Sequence, residues 1–160
     1  MLLTMPQQRR ALRYILQRLR SLTGAEWKHL LTALWLIPAV RLALSAFPFK
    51  SMLRFIDELD PAKQEASPAY VDGASWALAL MARTLLGDKP CLTQALALQI
   101  LLRRRAIPST LRIGVKRDEQ GGLAAHAWLE REERVLIGGA DSPKQYALLQ
   151  SPDQYGGALV

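Results

Sequence analysis

The chain of 160 residues has one cysteine, Cys91, and two histidines, His29 and His126. A single cysteine excludes an internal disulfide and any zinc site built from several thiolates. Neither histidine lies in an HExxH motif or a comparable ligand spacing, so no metal or other cofactor is expected. A lone cysteine accompanied by a well-placed histidine is instead a pattern of nucleophilic catalysis.

Acidic residues are also scarce. The chain has 14 of them against 21 lysines and arginines, which gives a net charge of +7, and none precedes Glu26. Arginines cluster within residues 9–20 and at residues 103–105, and such clusters favour acidic partners, although solvated helix faces explain them as well. Aromatic residues do not alternate with the basic ones, and no zinc-finger or helix-turn-helix pattern is present, so nucleic acid is not an expected partner.

Long apolar runs are missing too. The most apolar stretch, residues 30–40, is shorter than the roughly 20 residues that a spanning helix needs, and it contains Pro38. The basic N-terminus resembles a signal peptide only loosely, because Glu26 and Lys28 interrupt it and no small-residue cleavage site follows. We predict a cytoplasmic protein. Peripheral membrane contact through the basic, leucine-rich first third is the open alternative.

Helical periodicity fills the first two thirds of the chain. Helices are predicted over residues 7–22, 25–46, 49–59, 69–86 and 91–106. Pro38 should bend the second, Gly87 should close the fourth, and Asp88 should cap the fifth. A proline-containing loop divides a helical N-terminal region, residues 1–66, from a core of residues 67–160, with both expected to form one compact unit.

The period then changes to that of strands. Alternation predicts strands over residues 111–116, 124–131 and 134–137, the last two joined by Glu132 and Glu133. The tail from Asp141 is predicted to be mostly irregular. Helices followed by a small antiparallel sheet define an α+β domain.

Cys91 and His126 are the candidate catalytic pair. Cys91 falls in the first turn of its helix, where free N–H groups and the helix dipole favour a thiolate and an oxyanion. It shares a face with Ala95, Leu98 and Leu102, which aims the sulfur at the sheet that follows. A strand histidine facing this helix start can approach the sulfur to about 4 Å. The alternative is an inert apolar cysteine and a structural histidine.

A third residue usually orients the histidine of such a site. Asp141 follows the third strand and is the candidate. Glu130 shares the face of His126 but lies along the same strand, pointing away from the ring. His29 is predicted to be structural or on the surface.

The residues around the pair closely resemble the lasso-peptide B2 proteins, the leader peptidases of lasso-peptide biosynthesis in the transglutaminase-like superfamily. The likeness is carried by CLTQALALQILLRRRAIP from Cys91, LRIGVKR from Leu111 and AHAWLE from Ala125. The helical first third, with RLAL from Arg41 and FPF from Phe47, is similar as well. The resemblance implies a transglutaminase-like cysteine-protease core.

The resemblance also implies roles and partners. Cys91 matches the nucleophile and His126 the general base of a peptidase that cuts the leader from a lasso precursor peptide. A separate leader-binding B1 protein would assist it, and a lasso cyclase would act on the product.

Two positions depart from the family. Ala106 stands where glycine is common, and Gly138 stands near the place where superfamily members often carry the orienting aspartate.

Two other functions stay open on the sequence. A cysteine–histidine site of this type can transfer its acyl group to an amine instead of water, which would make the protein an acyltransferase. Alternatively, the protein is a non-catalytic scaffold whose basic helices bind an acidic precursor or a membrane.

Overall fold

The computed structural model describes residues 22–61, 67–87, 90–117 and 121–149. The helix predicted over residues 7–22, the arginine cluster within residues 9–20 and Asp88 therefore lie outside the described residues, except for Leu22. The helices are α1 (Gly24–Ala46), α2 (Phe49–Asp57), α3 (Pro68–Leu86), α4 (Cys91–Arg103) and α5 (Ser142–Gln145). The strands are β1 (Thr110–Arg117), β2 (Leu123–Arg131), β3 (Arg134–Ile137) and β4 (Ala147–Leu149). They form one antiparallel sheet in the order β3-β2-β1-β4, which confirms the α+β class.

Helix α1 begins with a capping box. The Thr23 hydroxyl accepts from the Glu26 N–H at 3.3 Å, and the Glu26 carboxylate accepts from the Thr23 N–H at 2.7 Å. The helix continues through Pro38 for 23 residues, longer than the apolar stretch recognised in the sequence. It is long and apolar enough to cross a membrane by length and composition alone, so the prediction that no segment reaches this length was wrong.

One hydrophobic cluster joins the helices to the sheet. Helix α1 packs mainly against α3, and α4 packs against α1, α3 and β2. The cluster contains Ile37 of α1, Leu78 of α3, Leu96 of α4 and Leu129 of β2, each 0% exposed. Burying one such side chain contributes roughly 1.5–3 kcal/mol. The elements before residue 67 and those after it thus share a single core.

A left-handed residue closes helix α4. The Ile107 N–H donates to the Leu102 carbonyl and the Ala106 N–H to the Arg103 carbonyl, both at 3.0 Å. This is the hydrogen-bond pattern of a Schellman motif, with Ala106 at φ +54° and the buried side chains of Ile107 and Leu102 beside it. Ala106, which stands where the resembling family commonly has glycine, therefore occupies a position whose backbone conformation favours glycine.

The arginines at residues 103–105 stabilise this part of the fold. Arg103 donates to the Asp57 carbonyl at the end of α2, at 2.7 Å. The Arg105 guanidinium lies 3.7 Å from the centre of the Tyr70 ring, within the range of a cation–π contact. Two of the three arginines thus make specific contacts within the fold, which neither the acidic-partner nor the solvated-helix interpretation predicted.

The sheet has one strand more than predicted. The tail from Asp141 forms the short helix α5 and then β4, whose Leu149 pairs with Ile113 of β1. The prediction of an irregular tail was wrong for residues 141–149, because a strand of three residues is too short to display alternation; residues 150–160 lie outside the described residues. The β2–β3 hairpin is as predicted, and its turn residues Glu132 and Glu133 both have positive φ, as a type I′ turn requires.

Candidate active site

Cys91 is the first residue of helix α4 and is half-buried. Pro90, rather than Asp88, occupies the cap position, and no side chain caps the helix there. The first helical hydrogen bond runs from the Gln94 N–H to the Pro90 carbonyl at 2.9 Å. The N–H groups of residues 91–93 precede that bond and have no acceptor within the helix, so this terminus favours a negative charge.

The buried face of α4 fixes the direction of the sulfur. Ala95, Leu98 and Leu102, predicted to share the face of Cys91, are all 0% exposed. Helix α4 packs against β2, the strand that carries His126, as well as against α1 and α3. The prediction that this helix packs on the sheet is confirmed.

Cys91 and His126 line the same cavity, which has a volume of about 710 Å³. Its other walls come from α3, from the first half of β2 and from the chain after β3. The argument below uses Arg83, Gln94, Gly138 and Tyr146 of this lining. Within the described ranges no hydrogen bond joins the Cys91 sulfur to the His126 ring, so the two residues share a cavity without being hydrogen-bonded to each other.

The cavity opens where β3 stops. Strand β3 pairs with β2 only from Leu129 to Arg131, so the first half of β2 is paired on one side, with β1. After β3 the chain turns at Gly138, with φ +106°. A Cβ atom at Gly138 would lie 2.5 Å from the Trp128 Cβ, so only glycine permits this approach to β2.

The close approach gives His126 a partner. The His126 Nε2 atom lies 2.6 Å from the Gly138 carbonyl oxygen. Because a carbonyl oxygen only accepts, Nε2 must carry the proton, and in the neutral ring Nδ1 presents its lone pair. The same carbonyl accepts a second hydrogen bond, from the buried Ser142 hydroxyl at 2.7 Å.

An aromatic side chain holds the imidazole from one face. The Tyr146 ring stacks on His126 with centroids 4.9 Å apart and planes inclined by 25°. Tyr146 fits there because residue 114, opposite His126 in the β1–β2 pair, is glycine. A Cβ at Gly114 would lie 2.8 Å from the Tyr146 Cβ.

The structure does not bring Asp141 to the His126 ring. The Asp141 side chain is 71% exposed, and its Oδ1 atom lies 4.0 Å from the Lys144 ammonium nitrogen. No hydrogen bond links Asp141 to His126 in the part of the chain that is described, where the Gly138 carbonyl bonds the ring instead. A main-chain acceptor has no residue type of its own, so sequence reasoning could not identify it.

The other titratable candidates lie apart from the pair. Glu130 accepts from the Trp128 indole at 2.6 Å and from Arg112 at 3.1 Å, so it is engaged away from His126, as predicted. His29 packs against Tyr70 in the helical layer, with ring centroids 5.0 Å apart, as expected of a structural histidine. Burial lowers the pKa of His29, and the charge of Arg105 lowers it further against a smaller opposing effect of Glu26.

Three cavity residues escaped the sequence analysis. Gln94 lies one helical turn after Cys91, so the periodicity did contain a signal for it. Arg83 is an ordinary exposed helix residue by pattern, and Tyr146 lay in the tail predicted to be irregular. The described residues contain no group of three or more histidine, cysteine or acidic side chains that could hold a metal ion.

Comparison with known proteins identifies the family. The family model of the transglutaminase-like superfamily matches residues 33–151, which include Cys91, His126 and every helix and strand from α2 to β4. Searches of curated proteins and of solved structures returned no significant match. Since the matched region covers well over half of the sequence, the chain belongs to the transglutaminase-like superfamily.

Proposed function

We propose that the protein is a cysteine peptidase with Cys91 as nucleophile and His126 as general base. The observation that carries the proposal is the shared cavity, in which the His126 Nε2 atom is bonded to the Gly138 carbonyl. With the proton fixed on Nε2, the Nδ1 atom is the basic one, and it makes no hydrogen bond to a described residue. Superfamily membership, which takes in cysteine proteases and acyltransferases, supports the same chemistry.

The reaction begins with proton transfer from the Cys91 thiol to Nδ1 of His126. The thiolate attacks the substrate carbonyl, and the resulting oxyanion accepts hydrogen bonds from the free N–H groups at the start of α4. The Gln94 amide, which lines the same cavity, is a second donor. Catalytic pairs are commonly looser before substrate binds, so the sulfur and the ring are expected to come within hydrogen-bond distance in the complex.

The second half of the reaction uses the same histidine as an acid. The imidazolium donates its Nδ1 proton to the departing amine, which leaves an acyl-enzyme thioester. Throughout this step the Nε2–H group continues to donate to Gly138, and a hydrogen bond from a charged donor is stronger than a neutral one. Water, deprotonated by Nδ1, then attacks the thioester and frees the carboxylic acid and the thiol.

The substrate that we propose is a lasso precursor peptide, from which the enzyme removes the leader in the cytoplasm. The support for this finer assignment is the resemblance of the segments around Cys91 and His126 to the lasso-peptide B2 proteins. A separate leader-binding B1 protein would supply most of the recognition, and a lasso cyclase would use the product.

An exposed apolar surface supports the need for a protein partner. Trp35 and Leu42 on α1 are 78% and 69% exposed. Phe47 and Phe55 border a second cavity, of about 570 Å³, between α1, α2 and the end of α4. Apolar surface of this extent usually marks a place where another molecule binds. A membrane surface is the alternative occupant.

The test is cleavage of the matched precursor, with and without the B1 protein, followed by mass spectrometry. Wild type should release one leader fragment and should be strongly stimulated by B1, whereas Cys91→Ala and His126→Ala should be inactive. Hydrolysis leaves a free carboxylate on the leader, while a new amide on it would show acyl transfer instead. Equal cleavage by wild type and Cys91→Ala would exclude the peptidase assignment.

A further inference from the structure

We infer that Arg83 is a specificity residue that binds a carboxylate group of the substrate beside Cys91. Arg83 lies in the last turn of α3 and lines the cavity that contains Cys91 and His126. Gly87, after the end of α3, and Pro90, before the start of α4, line the same cavity, so the guanidinium and the nucleophile belong to neighbouring walls of one space. The statement that this carboxylate belongs to a peptide rests on the proposed function.

The charges around the cavity favour an anion. Among the described residues, its lining contains Arg83 but no aspartate or glutamate. Arg83 forms no ion pair with any residue in the described ranges, whereas Arg112, Arg131 and Arg134 each pair with a carboxylate. The charge of Arg83 is therefore not neutralised by a described neighbour.

An arginine in this position selects one chemical class of substrate. A guanidinium binds carboxylates through two parallel hydrogen bonds, which are stronger and more directional than bonds to neutral groups. The aspartate or glutamate side chains of a peptide, or its terminal carboxylate, provide such a group. We therefore expect an acidic residue near the scissile bond to raise kcat/KM, and the matching amide to lose that advantage.

The test measures the reaction of Cys91 with two alkylating reagents of similar size, anionic iodoacetate and neutral iodoacetamide. Cys91 is the single cysteine of the chain, so the labelled position is unambiguous. In both reactions the sulfur displaces iodide, and the ratio of the two rate constants cancels differences in thiolate population and access. The rate constant for iodoacetate divided by that for iodoacetamide should be at least fivefold higher in wild type than in Arg83→Gln. The difference between wild type and Arg83→Glu should be larger still.

Arg41→Gln is the matched control, because Arg41 is also an exposed helical arginine but does not line the cavity. Its ratio should equal that of wild type, and the wild-type ratio should fall as salt is added, since salt screens the attraction. Equal ratios in wild type and Arg83→Gln would overturn the inference. Failure of Cys91 to react with either reagent would overturn it as well, because the cavity would then be closed to small solutes.

This readout does not require proteolysis. If the ratio falls as expected from wild type to Arg83→Gln but wild type cleaves no precursor, the anion subsite stands and the peptidase assignment is refuted. Conversely, cleavage of the precursor together with an unchanged ratio would refute the subsite and leave the peptidase standing. For an active enzyme, paired peptides with aspartate or asparagine at each position near the cut locate the carboxylate that Arg83 binds.

Discussion

The His126 ring is oriented by the Gly138 carbonyl, 2.6 Å from Nε2. In many cysteine–histidine and serine–histidine sites a side-chain carboxylate or amide occupies this position. Here the acceptor belongs to the main chain, where the path after β3 turns back against Trp128. Ser142, buried and bonded to the same carbonyl, holds the acceptor in place. The tautomer of His126 is therefore determined by the path of the backbone.

Substituting Asp141 with alanine should leave activity within about threefold of wild type. Its carboxylate is exposed, and no hydrogen bond to His126 is present in the described chain, so its loss changes neither the ring nor its tautomer. The measurement is kcat/KM for precursor cleavage, with His126→Ala as the inactive reference. A loss of about 100-fold or more in Asp141→Ala would show that the carboxylate swings onto the ring in the working enzyme.

Removing the Tyr146 ring should lower kcat about tenfold, because the imidazole then loses the face that restricts its orientation. Tyr146→Phe keeps the stacking ring and should retain most of the activity. The comparison of Tyr146→Ala with Tyr146→Phe, at equal thermal stability, separates ring stacking from any role of the hydroxyl. Equal losses in both variants would assign the effect to the hydroxyl instead.

Replacing Ala106 with glycine should stabilise the fold by about 0.5–1 kcal/mol, because a left-handed backbone is strained for alanine and free for glycine. For a chain of this size that corresponds to an increase in Tm of roughly 1–4 °C. The matched control is Ala39→Gly in the interior of α1, which should destabilise by about 1 kcal/mol. Thermal unfolding should show a higher Tm than wild type for Ala106→Gly and a lower Tm for Ala39→Gly. Destabilisation by Ala106→Gly would contradict the expectation.

Protonation of His29 should make the folded protein less stable as the pH is lowered. Burial and the charge of Arg105 lower the pKa of this histidine in the folded protein from its ordinary value of 6.5. The unfolded chain then binds the proton more tightly than the folded protein does. The contribution of His29 to the free energy of unfolding is therefore fully present above pH 6.5 and declines as the pH falls from 6.5 toward the lowered pKa.

The measurement for His29 is Tm of wild type and His29→Gln between pH 5.5 and 7.5. The Tm of His29→Gln relative to wild type should rise as the pH falls, because glutamine does not titrate. The other ionisable groups are common to both proteins and cancel in the difference. A difference that stays constant across this range would show that His29 does not contribute to the pH dependence.

Elements of regular period could be predicted from the sequence. The core face of α4, the β2–β3 hairpin and the placement of Cys91 at a helix start followed from spacing and from the residues that interrupt it. What could not be predicted depends on tertiary contact. The position of Tyr146 over Gly114 requires a three-residue strand that displays no pattern. Arg83 enters the cavity only because α3 and α4 pack side by side.

Gly138 has a consequence for how related sequences are sorted. A survey that accepts a member as active only if an aspartate stands near the place of Gly138 would classify this protein as a pseudoenzyme. The information that orients His126 is instead carried by Gly138, whose carbonyl bonds the ring, and by Ser142, which bonds that carbonyl. Among distant relatives, a glycine at the place of Gly138, followed four residues later by a buried hydroxyl residue, is therefore a more suitable criterion for an oriented histidine than the presence of a carboxylate.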